Sequence, residues 1–339
     1  MNTTKIRNIY AGVRAVLLFC LTFAFMISLF EVFFYYLDSN DYIFIHPDVL
    51  ESHPILGADN KSNVQEVCEI QLFDKTFREK TYTIKDGIRV TPGNEDSKKK
   101  FIAVFGCSGT FGWGCNDDET FPARLGHYLP EYNIYNFGVC SSATQHMYWK
   151  IKSGKVKESI KEEEGLGVYV FFGFHPARVA MSLWTFYAYG FPDYQYNSKT
   201  DDLDYIGSIG NLHPYQKFIY SILRKSNTLQ HYKFHFPFYS KALIDKCIDQ
   251  LRVSKKYFVN AFDKARFIVF IPSTKQDFPK MDYFITRLQQ EYIEYFVCSP
   301  TYFNTLNSMD KKTTKYPDGH YTPVVQDMMA REFCDNLNN

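Results

Sequence analysis

The stretch Phe101-Ile-Ala-Val-Phe-Gly-Cys-Ser-Gly109 carries the clearest structural signal in this chain. Five apolar residues are followed at once by a turn of small residues, which is typical of a buried strand that ends in a tight loop. A serine on such a turn, between a strand and a helix, has an exposed hydroxyl and faces backbone N–H groups of the next turn. The pattern therefore predicts a buried strand that presents Ser108 at its carboxyl end, either as a nucleophile or as part of a helix N-cap or phosphate-binding turn.

The same pattern of an apolar run, a small-residue turn and a stretch of helix length recurs along the chain. The further apolar runs are 132–137, 167–172, 265–271 and 292–298. Buried strands that alternate with helices predict an α/β fold with a parallel sheet covered on both faces. Ligands bind such sheets beyond the carboxyl ends of the strands, which is where these small-residue turns fall.

Outside this repeating pattern the chain divides into further regions. We predict a cytoplasmic N-terminus, a transmembrane anchor, a linker with an N-terminal strand region, and the α/β domain, at 1–14, 15–37, 38–100 and 101–339 respectively. Alternation in Tyr82–Arg89 indicates a short strand and turn before the domain. An aromatic, turn-rich insertion at about 176–238 has no clean periodicity, and we expect either a lid or a substrate wall.

The anchor is predicted from an apolar run at 15–37 that is interrupted only by Thr22, Ser28 and Glu31. Its length suits a bilayer core, which needs about 20 helical residues. Flanking charges are basic before the run and acidic after it: Lys5, Arg7, Arg14, Asp38 and Asp41. Positive residues stay cytoplasmic, so the domain is expected outside the membrane, in the periplasm of a Gram-negative cell. The alternatives are a cleaved signal peptide, although no small-x-small cleavage site follows, and a buried core helix.

The composition is that of an ordinary globular protein. Hydrophobic residues make up 45% of the 339 residues, charged residues 22%, and the formal net charge is +1. Without a global basic field, nucleic acid is not an expected partner. Of the eight cysteines, Cys20 lies in the anchor, which leaves an odd number outside it. At least one thiol is therefore free or pairs between chains, and no spacing identifies a disulfide framework.

A second candidate motif lies near the C-terminus, in Tyr316-Pro-Asp-Gly-His-Tyr-Thr-Pro323, before a stretch with helical periodicity. Asp318 stands two residues before His320, so both can lie on one loop. A carboxylate can then hold one imidazole nitrogen while the other faces a serine. By itself an Asp-Gly-His segment is also simply a turn.

Taken in order, Gly106-Cys-Ser-Gly109, Asn136-Phe-Gly138 and Asp318-Gly-His320 resemble the motifs of the SGNH hydrolases, also called GDSL-like esterases. The likeness to membrane-anchored bacterial members extends upstream to His53-Pro-Ile-Leu-Gly57 and covers roughly Pro54 to the C-terminus, apart from the insertion. This resemblance implies a flavodoxin-like, doubly wound parallel sheet.

The resemblance also implies a serine esterase mechanism. Ser108 would attack an ester carbonyl, His320 would take its proton, and Asp318 would orient the imidazole. The oxyanion would rest on the backbone N–H groups of Ser108 and Gly138. His175 stands where the family usually has an oxyanion-hole Asn, and it is either a donor to the oxyanion, as an imidazole can be, or a structural histidine.

The chain departs from the family at the nucleophile turn, where Cys107 replaces the usual Asp. Cys107 is also an alternative nucleophile, but such a turn exposes only one of two adjacent side chains. Arg178 follows close behind His175, and a guanidinium can also donate to an oxyanion. Ser141 and Ser142 are predicted to cap a helix.

Three functions are compatible with these residues. The first is an esterase that hydrolyses an O-acyl group of a carbohydrate or lipid near the membrane. The second is an O-acyltransferase that modifies a cell-surface polysaccharide through the same acyl-enzyme. The third is a catalytically silent binding domain that keeps the fold. No cofactor or metal is expected, because His231 and His235 have helical ligand spacing but no third ligand. Three aromatic residues either line a pocket or pack in the core, namely Trp184, Tyr187 and Phe191.

Overall fold

The computed structural model describes residues 3–37, 48–183, 185–232 and 240–338. Of the residues discussed above, Asp38, Asp41, Trp184 and His235 lie outside this part of the chain. The first part of the predicted linker, residues 38–47, also lies outside it.

The central feature of the fold is a mixed sheet with a parallel part and an antiparallel part. In chain order the strands are β1 Leu50–His53, β2 Gly57–Asn60, β3 Asn63–Gln71, β4 Phe77–Lys85, β5 Ile88–Arg89, β6 Lys100–Phe105, β7 Tyr132–Asn136, β8 Glu164–Val170, β9 Pro192–Asn197, β10 Asp202–Ser208, β11 Lys264–Ile271 and β12 Glu294–Val297. The large sheet has the order β12-β11-β8-β6-β7-β5-β4-β3.

Five of these strands, β6, β7, β8, β11 and β12, are parallel and carry the five apolar runs of the sequence. Numbered along the chain, their order is that of flavodoxin-like, doubly wound folds. The predicted α/β fold class is therefore confirmed. Strand order reverses where β6 lies between β7 and β8, which is the place where such folds bind ligands.

Helices cover both faces of the parallel part. In chain order they are α1 Thr3–Leu37, α2 Ser108–Phe111, α3 Phe121–Tyr128, α4 Thr144–Lys152, α5 Lys155–Ser159, α6 His175–Val179, α7 Ile209–Leu212, α8 Pro214–Leu223, α9 Asn227–His231, α10 Lys241–Ala261, α11 Met281–Gln290, α12 Pro300–Ser308, α13 Lys311–Thr314 and α14 Pro323–Asn338. On one face α4, α10 and α11 pack against Phe101 and Phe105, and on the other α3, α12 and α14 pack against Ile102 and Val104. Alternation along β6 thus feeds two separate cores.

Strands β3, β4 and β5, which precede the predicted domain start at residue 101, belong to the same sheet as the parallel strands, whereas β1 and β2 form a separate hairpin. Strands β3 and β4 pair along nine residues, and β5 joins them to the parallel part through Arg89 opposite Asn136. Alternation in β4 buries Tyr82 and Ile84 beneath the nucleophile turn. The antiparallel part of the sheet therefore packs against the segment that carries this turn.

The insertion is more regular than its sequence predicts. It contains a 3₁₀ helix, Phe186–Gly190, the hairpin of β9 and β10, and the short helices α7 to α9. A small core of its own holds it together, formed by Met181, Leu183, Ala188, Phe191, Ile209 and Tyr220. Phe191, one of the residues proposed for a pocket, therefore packs in the interior instead.

Helix α1 stands outside both cores. Its segment Gly12–Leu37 spans 26 residues with a mean hydropathy of 2.4, long and apolar enough to cross a membrane. At its C-terminal end it packs against α9, where the ring of Phe34 lies 4.4 Å from that of His231.

Candidate active site

The structure brings together Ser108, His320 and Asp318, which are distant in sequence. His320 Nε2 lies 2.9 Å from Ser108 Oγ, and His320 Nδ1 lies 2.9 Å from Asp318 Oδ2. With Nδ1–H donating to the carboxylate, Nε2 is the acceptor for the serine hydroxyl. The three side chains therefore form a continuous chain of hydrogen bonds from carboxylate to hydroxyl.

Tight backbone turns place Ser108 at the start of α2, directly beyond β6. Gly106 has φ 154°, and a Cβ there would lie 2.2 Å from Thr110 Oγ1, so a larger residue does not fit. The first N–H groups of a helix have no intrahelical acceptor. The N–H of Ser108 is such a group, because Ser108 is the first residue of α2.

Asp318 is held by hydrogen bonds from three groups. Its Oδ1 accepts the backbone N–H of His320 at 3.0 Å, and its Oδ2 accepts the indole N–H of Trp113 at 2.9 Å in addition to the imidazole. Burial acts to raise the pKa of Asp318, but the hydrogen bonds from His320 and Trp113 outweigh it and lower the pKa. The carboxylate stays ionised, as an imidazole partner requires.

The loop that carries Asp318 and His320 is fastened to the loop after α2. Tyr316 donates its backbone N–H to the carbonyl of His320 and its hydroxyl to the carbonyl of Gly114, each at 2.8 Å. Gly114 in turn donates its N–H to the hydroxyl of Tyr82 at 2.9 Å. The acid and base are therefore positioned by the same segment that positions the nucleophile.

A buried arginine, Arg89, fixes the nucleophile segment from below. Its Nη1 donates to the carbonyls of Phe111 and Gly112 at 2.7 and 2.8 Å, and its Nη2 donates to that of Cys115 at 2.6 Å. The side chain is fully buried and pairs with Asp117 at 3.1 Å. This clamp therefore fixes the backbone from Phe111 to Cys115, directly after the nucleophile turn.

Sequence reasoning missed both Arg89 and Trp113 as parts of the site. Each stands in a segment that the resemblance covers, Tyr82–Arg89 and the Phe-Gly-Trp-Gly run that ends at Gly114. Their roles depend on contacts 22 or more residues away along the chain, to Phe111 and to Asp318. Local patterns carry no signal for such contacts.

A cavity of about 530 Å³ opens over the hydroxyl of Ser108. Ser108 and His320 form part of its wall, and the rest includes Phe172, Phe174, Arg178, Thr185, Tyr187 and Lys315. Tyr187 is thus in the pocket, as one reading of the sequence proposed. Tyr187 and Thr185 come from the insertion, which therefore forms a wall of the cavity.

His175 is not among the residues that line this cavity, and its position agrees with the structural histidine rather than with the oxyanion donor. The side chain is fully buried, its Nδ1 lies 2.9 Å from the hydroxyl of Tyr169, and its ring packs on Phe171 and Phe174. Burial lowers the pKa of His175 well below its usual value, so the ring is neutral. As the first residue of α6, it turns inward, which the Gly-Phe-His spacing does not reveal.

Gly138 is also unsuited to the predicted role. Its N–H donates to Asn136 Oδ1 at 3.0 Å, so it has no free donor for an oxyanion. A Cβ at this position would lie 2.4 Å from the backbone nitrogen of Phe111. Close approach of two backbone segments, rather than catalysis, therefore accounts for the glycine.

Ser141 lies three residues after Gly138, on the same loop. Its φ is 67°, uncommon for a residue other than glycine, and its N–H has no acceptor among the described residues. Ser142 ties this loop to the nucleophile turn by donating its hydroxyl to the carbonyl of Gly106 at 2.9 Å. Neither serine caps a helix, because the N-cap of α4 is Ala143.

Arg178 reaches the pocket from α6. Its Nε donates to the hydroxyl of Tyr187 at 2.7 Å, its Nη1 donates to the carbonyl of Ser142 at 2.8 Å, and it also contacts the sulfur of Cys107. Burial acts to lower the pKa of Arg178, but Tyr187 and Cys107 outweigh it and raise the pKa. Within the described residues no carboxylate lies within ion-pair distance, so a guanidinium charge without a counter-ion faces the cavity.

Cys107, the alternative nucleophile, is almost fully buried and lies beside Arg178. The imidazole of His320 bonds Ser108 instead, so the thiol has no base. All eight cysteines are free thiols. No cluster of three or more potential metal-ligating side chains occurs in the described ranges.

Known proteins add a likeness of fold. No protein-family profile matches the sequence, and no curated protein matches it. Similar solved structures include a lipolytic G-D-S-L family protein from Veillonella parvula, with 11% identity over 71% of this chain and 99% of that chain and a TM-score of 0.41. Another is a putative lipolytic G-D-S-L family protein from Desulfitobacterium hafniense, with 14% identity over 70% of this chain and 99% of that chain and a TM-score of 0.33. A catalytic mutant of an acetylxylan esterase from Geobacillus stearothermophilus has 10% identity over 71% and 95%, with a TM-score of 0.41. Identities and TM-scores this low support no inference about the function of this chain.

Proposed function

We propose that this chain is an SGNH-type serine esterase that cleaves an O-acyl ester of a carbohydrate or lipid. The observation that supports this proposal is the hydrogen-bonded series Ser108, His320 and Asp318 at the switch point of the sheet, beside a cavity. Serine, base and carboxylate in this geometry are recognised by their roles rather than by their order in the sequence.

The reaction follows from the hydrogen bonds. Ser108 Oγ attacks the ester carbonyl carbon while its proton passes to His320 Nε2, and Asp318 stabilises the imidazolium. The tetrahedral intermediate collapses, the C–O bond to the alcohol breaks, and the alcohol oxygen takes the proton back from His320. Water then repeats the sequence on the acyl-enzyme and releases the acid.

For the oxyanion we propose the backbone N–H groups of Ser108 and Ser141, with the guanidinium of Arg178 as the third donor. The assignment of the two N–H groups as donors is supported because neither has an acceptor within the described residues. Arg178 is supported by its place in the pocket wall and its contact with Cys107, the residue before the nucleophile. Fixed donors of this kind stabilise charge that develops in the transition state.

The size of the cavity favours a substrate with a short acyl group over one with a long acyl chain buried in the protein. Its size lies within the range of small-molecule sites. Rings of Phe172 and Phe174 are stacked 5.5 Å apart along one wall, while Lys315 and Asp277 provide polar groups. Aromatic and polar walls together suit an acyl group carried on a polar alcohol.

A fluorophosphonate probe tests the nucleophile directly. We expect covalent labelling of the full chain that disappears in Ser108→Ala, and hydrolysis of a short-chain ester that is abolished in Ser108→Ala and His320→Ala. Ser273→Ala is a matched control, because this buried pocket serine has no imidazole partner. Labelling that persists in Ser108→Ala would refute the proposal, and complete absence of labelling would favour a silent binding domain.

The same acyl-enzyme would serve an O-acyltransferase, with a sugar hydroxyl in place of water. Product analysis with a polysaccharide acceptor separates the two functions. Free acid as the only product supports the esterase, whereas acylated acceptor supports the transferase.

We further propose that α1 is a retained, single-pass anchor with the active site on the extracytoplasmic side. The contact of Glu31 and Phe34 with α9 supports retention, because a cleaved signal peptide would leave those partners exposed. A C-terminally tagged chain should remain in the membrane fraction at full length after alkaline extraction. A shorter, soluble product would contradict this.

A further inference from the structure

Helix α8 in the insertion exposes its apolar face instead of burying it. Tyr215, Phe218 and Ile222 are 85%, 65% and 54% exposed, and Ile219 lies beside them. Their spacing of three and four residues places them on one side of the helix. Tyr220 on the opposite side is buried. A continuous apolar stripe on the surface marks an interaction site.

The next helix, α9, attaches this stripe to the anchor. Glu31 of α1 accepts the backbone N–H of Asn227 at 2.6 Å and the hydroxyl of Ser226 at 2.5 Å. Phe34 packs on His231 and Tyr232. A carboxylate in a membrane helix requires polar partners of this kind. The insertion is thus fixed along the last two turns of α1.

Helical geometry gives the depth of this contact. At about 1.5 Å per residue, Glu31 lies ~24 Å along the axis from Ala15, the first residue of the predicted anchor. The hydrocarbon core of a bilayer is about 30 Å thick. With Ala15 at the inner boundary, Glu31 and α9 lie within about 6 Å of the outer boundary. The adjoining α8 then lies at the level of the lipid headgroups.

The charges at the end of α8 agree with this position. Arg224 and Lys225 follow the helix and are exposed. Basic residues that flank an apolar face are typical of helices that lie in a membrane interface. The guanidinium of Arg224 also lies 4.8 Å from the ring of Phe186 in the 3₁₀ helix.

That 3₁₀ helix connects α8 with the active-site cavity. Lys217 of α8 lies 4.3 Å from the ring of Tyr189, and α8 packs on the 3₁₀ helix. Tyr187 in the same segment lines the cavity and accepts a hydrogen bond from Arg178. One short segment therefore has the cavity on one side and α8 on the other.

We propose that the apolar face of α8 is inserted into the outer leaflet of the membrane. The consequence, which rests on the proposed esterase function, is that the cavity takes its ester from the membrane surface, so the substrate is an acylated lipid or lipid-linked sugar. The bilayer is the partner of this face because α8 is followed directly by α9, which packs against the proposed membrane-spanning helix α1.

Depth-dependent quenching tests the insertion without any assay of activity. The full chain is reconstituted in phosphatidylethanolamine–phosphatidylglycerol nanodiscs, with or without brominated acyl chains, as Phe218→Trp and as the control Val67→Trp on the exposed side of β3. After subtraction of the native tryptophans, we expect loss of the Phe218→Trp signal in brominated lipid and no loss for Val67→Trp. Equal signals for Phe218→Trp in both lipids would overturn the proposal. If those particles also hold two copies of the chain, the face is a dimer interface.

A second variant separates this inference from the proposed function. Phe218→Glu combined with Ile222→Glu changes only exposed side chains. We expect hydrolysis of a vesicle-embedded ester to fall about tenfold, because apolar area no longer enters the interface. Hydrolysis of a water-soluble short-chain ester should not change. Unchanged hydrolysis of the vesicle-embedded ester in this double variant would overturn the substrate inference. A wild-type chain that is inactive on both substrates would refute the esterase itself and leave the quenching result valid.

Discussion

Replacement of Arg89 by lysine should destabilise the protein far more than its conservative nature implies. Arg89 reaches four carbonyls and one carboxylate with a planar fork of N–H donors. Lysine keeps the charge but carries a single nitrogen, so at least two of these buried acceptors lose their donor. Each unsatisfied buried acceptor costs about 1–3 kcal/mol. The free energy of unfolding should therefore fall by about 4 kcal/mol.

Urea unfolding of the full chain in detergent measures this change, with the slope of the transition compared between variants. Arg331→Lys is the matched control, because Arg331 is exposed and its pairing with Asp327 is a surface ion pair. Such pairs contribute at most about 1 kcal/mol. A loss for Arg89→Lys no larger than that of the control would refute the idea that Arg89 clamps the nucleophile segment.

Three further predictions concern the pocket and the interior. Arg178→Gln should lower kcat about 100-fold with little change in KM, because an oxyanion donor acts mainly in the transition state; Tyr187→Phe is the control, and steady-state kinetics that show only a KM effect would contradict this role. Ser141→Gly should keep its activity, since glycine retains the N–H and accepts positive φ, whereas Gly138→Ala should lower the melting temperature. Burial lowers the pKa of His146 to about 3, so the unfolded chain binds a proton near pH 6.5 that the folded protein does not. The free energy of unfolding should then fall as pH drops from about 6.5 toward 3, and His146→Gln should flatten that slope in a urea series; an unchanged slope would show that other groups control it.

The central parallel strands, β6 and β8, were predictable because they are buried on both faces. Such strands are continuous apolar runs, and the run at 101–105 lies in β6, Lys100–Phe105. The strands before residue 100 were harder to place. Their alternation predicts a half-buried sheet, but the register that joins Arg89 to Asn136 is a contact between distant segments.

At the site, the sequence predicted which side chains meet better than it predicted which backbone groups face the cavity. Ser108 stands directly beyond β6, and Asp318 and His320 share one short loop between α13 and α14, so their order and spacing are sufficient. The proposed oxyanion donors depend instead on local dihedral angles. The φ of Ser141 and the inward turn of His175 at the start of α6 follow from packing, which no short motif encodes.

The position of the insertion explains why a fold that needs only five parallel strands carries so much additional chain. One end of the insertion supplies Tyr187 to the cavity, where it bonds Arg178, and the other end bonds Glu31 in α1. A tether alone would require no such contact, because a flexible linker holds a domain near a membrane equally well. A rigid connection from helix to cavity wall fixes orientation as well as distance. The geometry therefore suits an enzyme whose substrate is presented in a fixed direction by a surface, rather than one that meets its ester in solution.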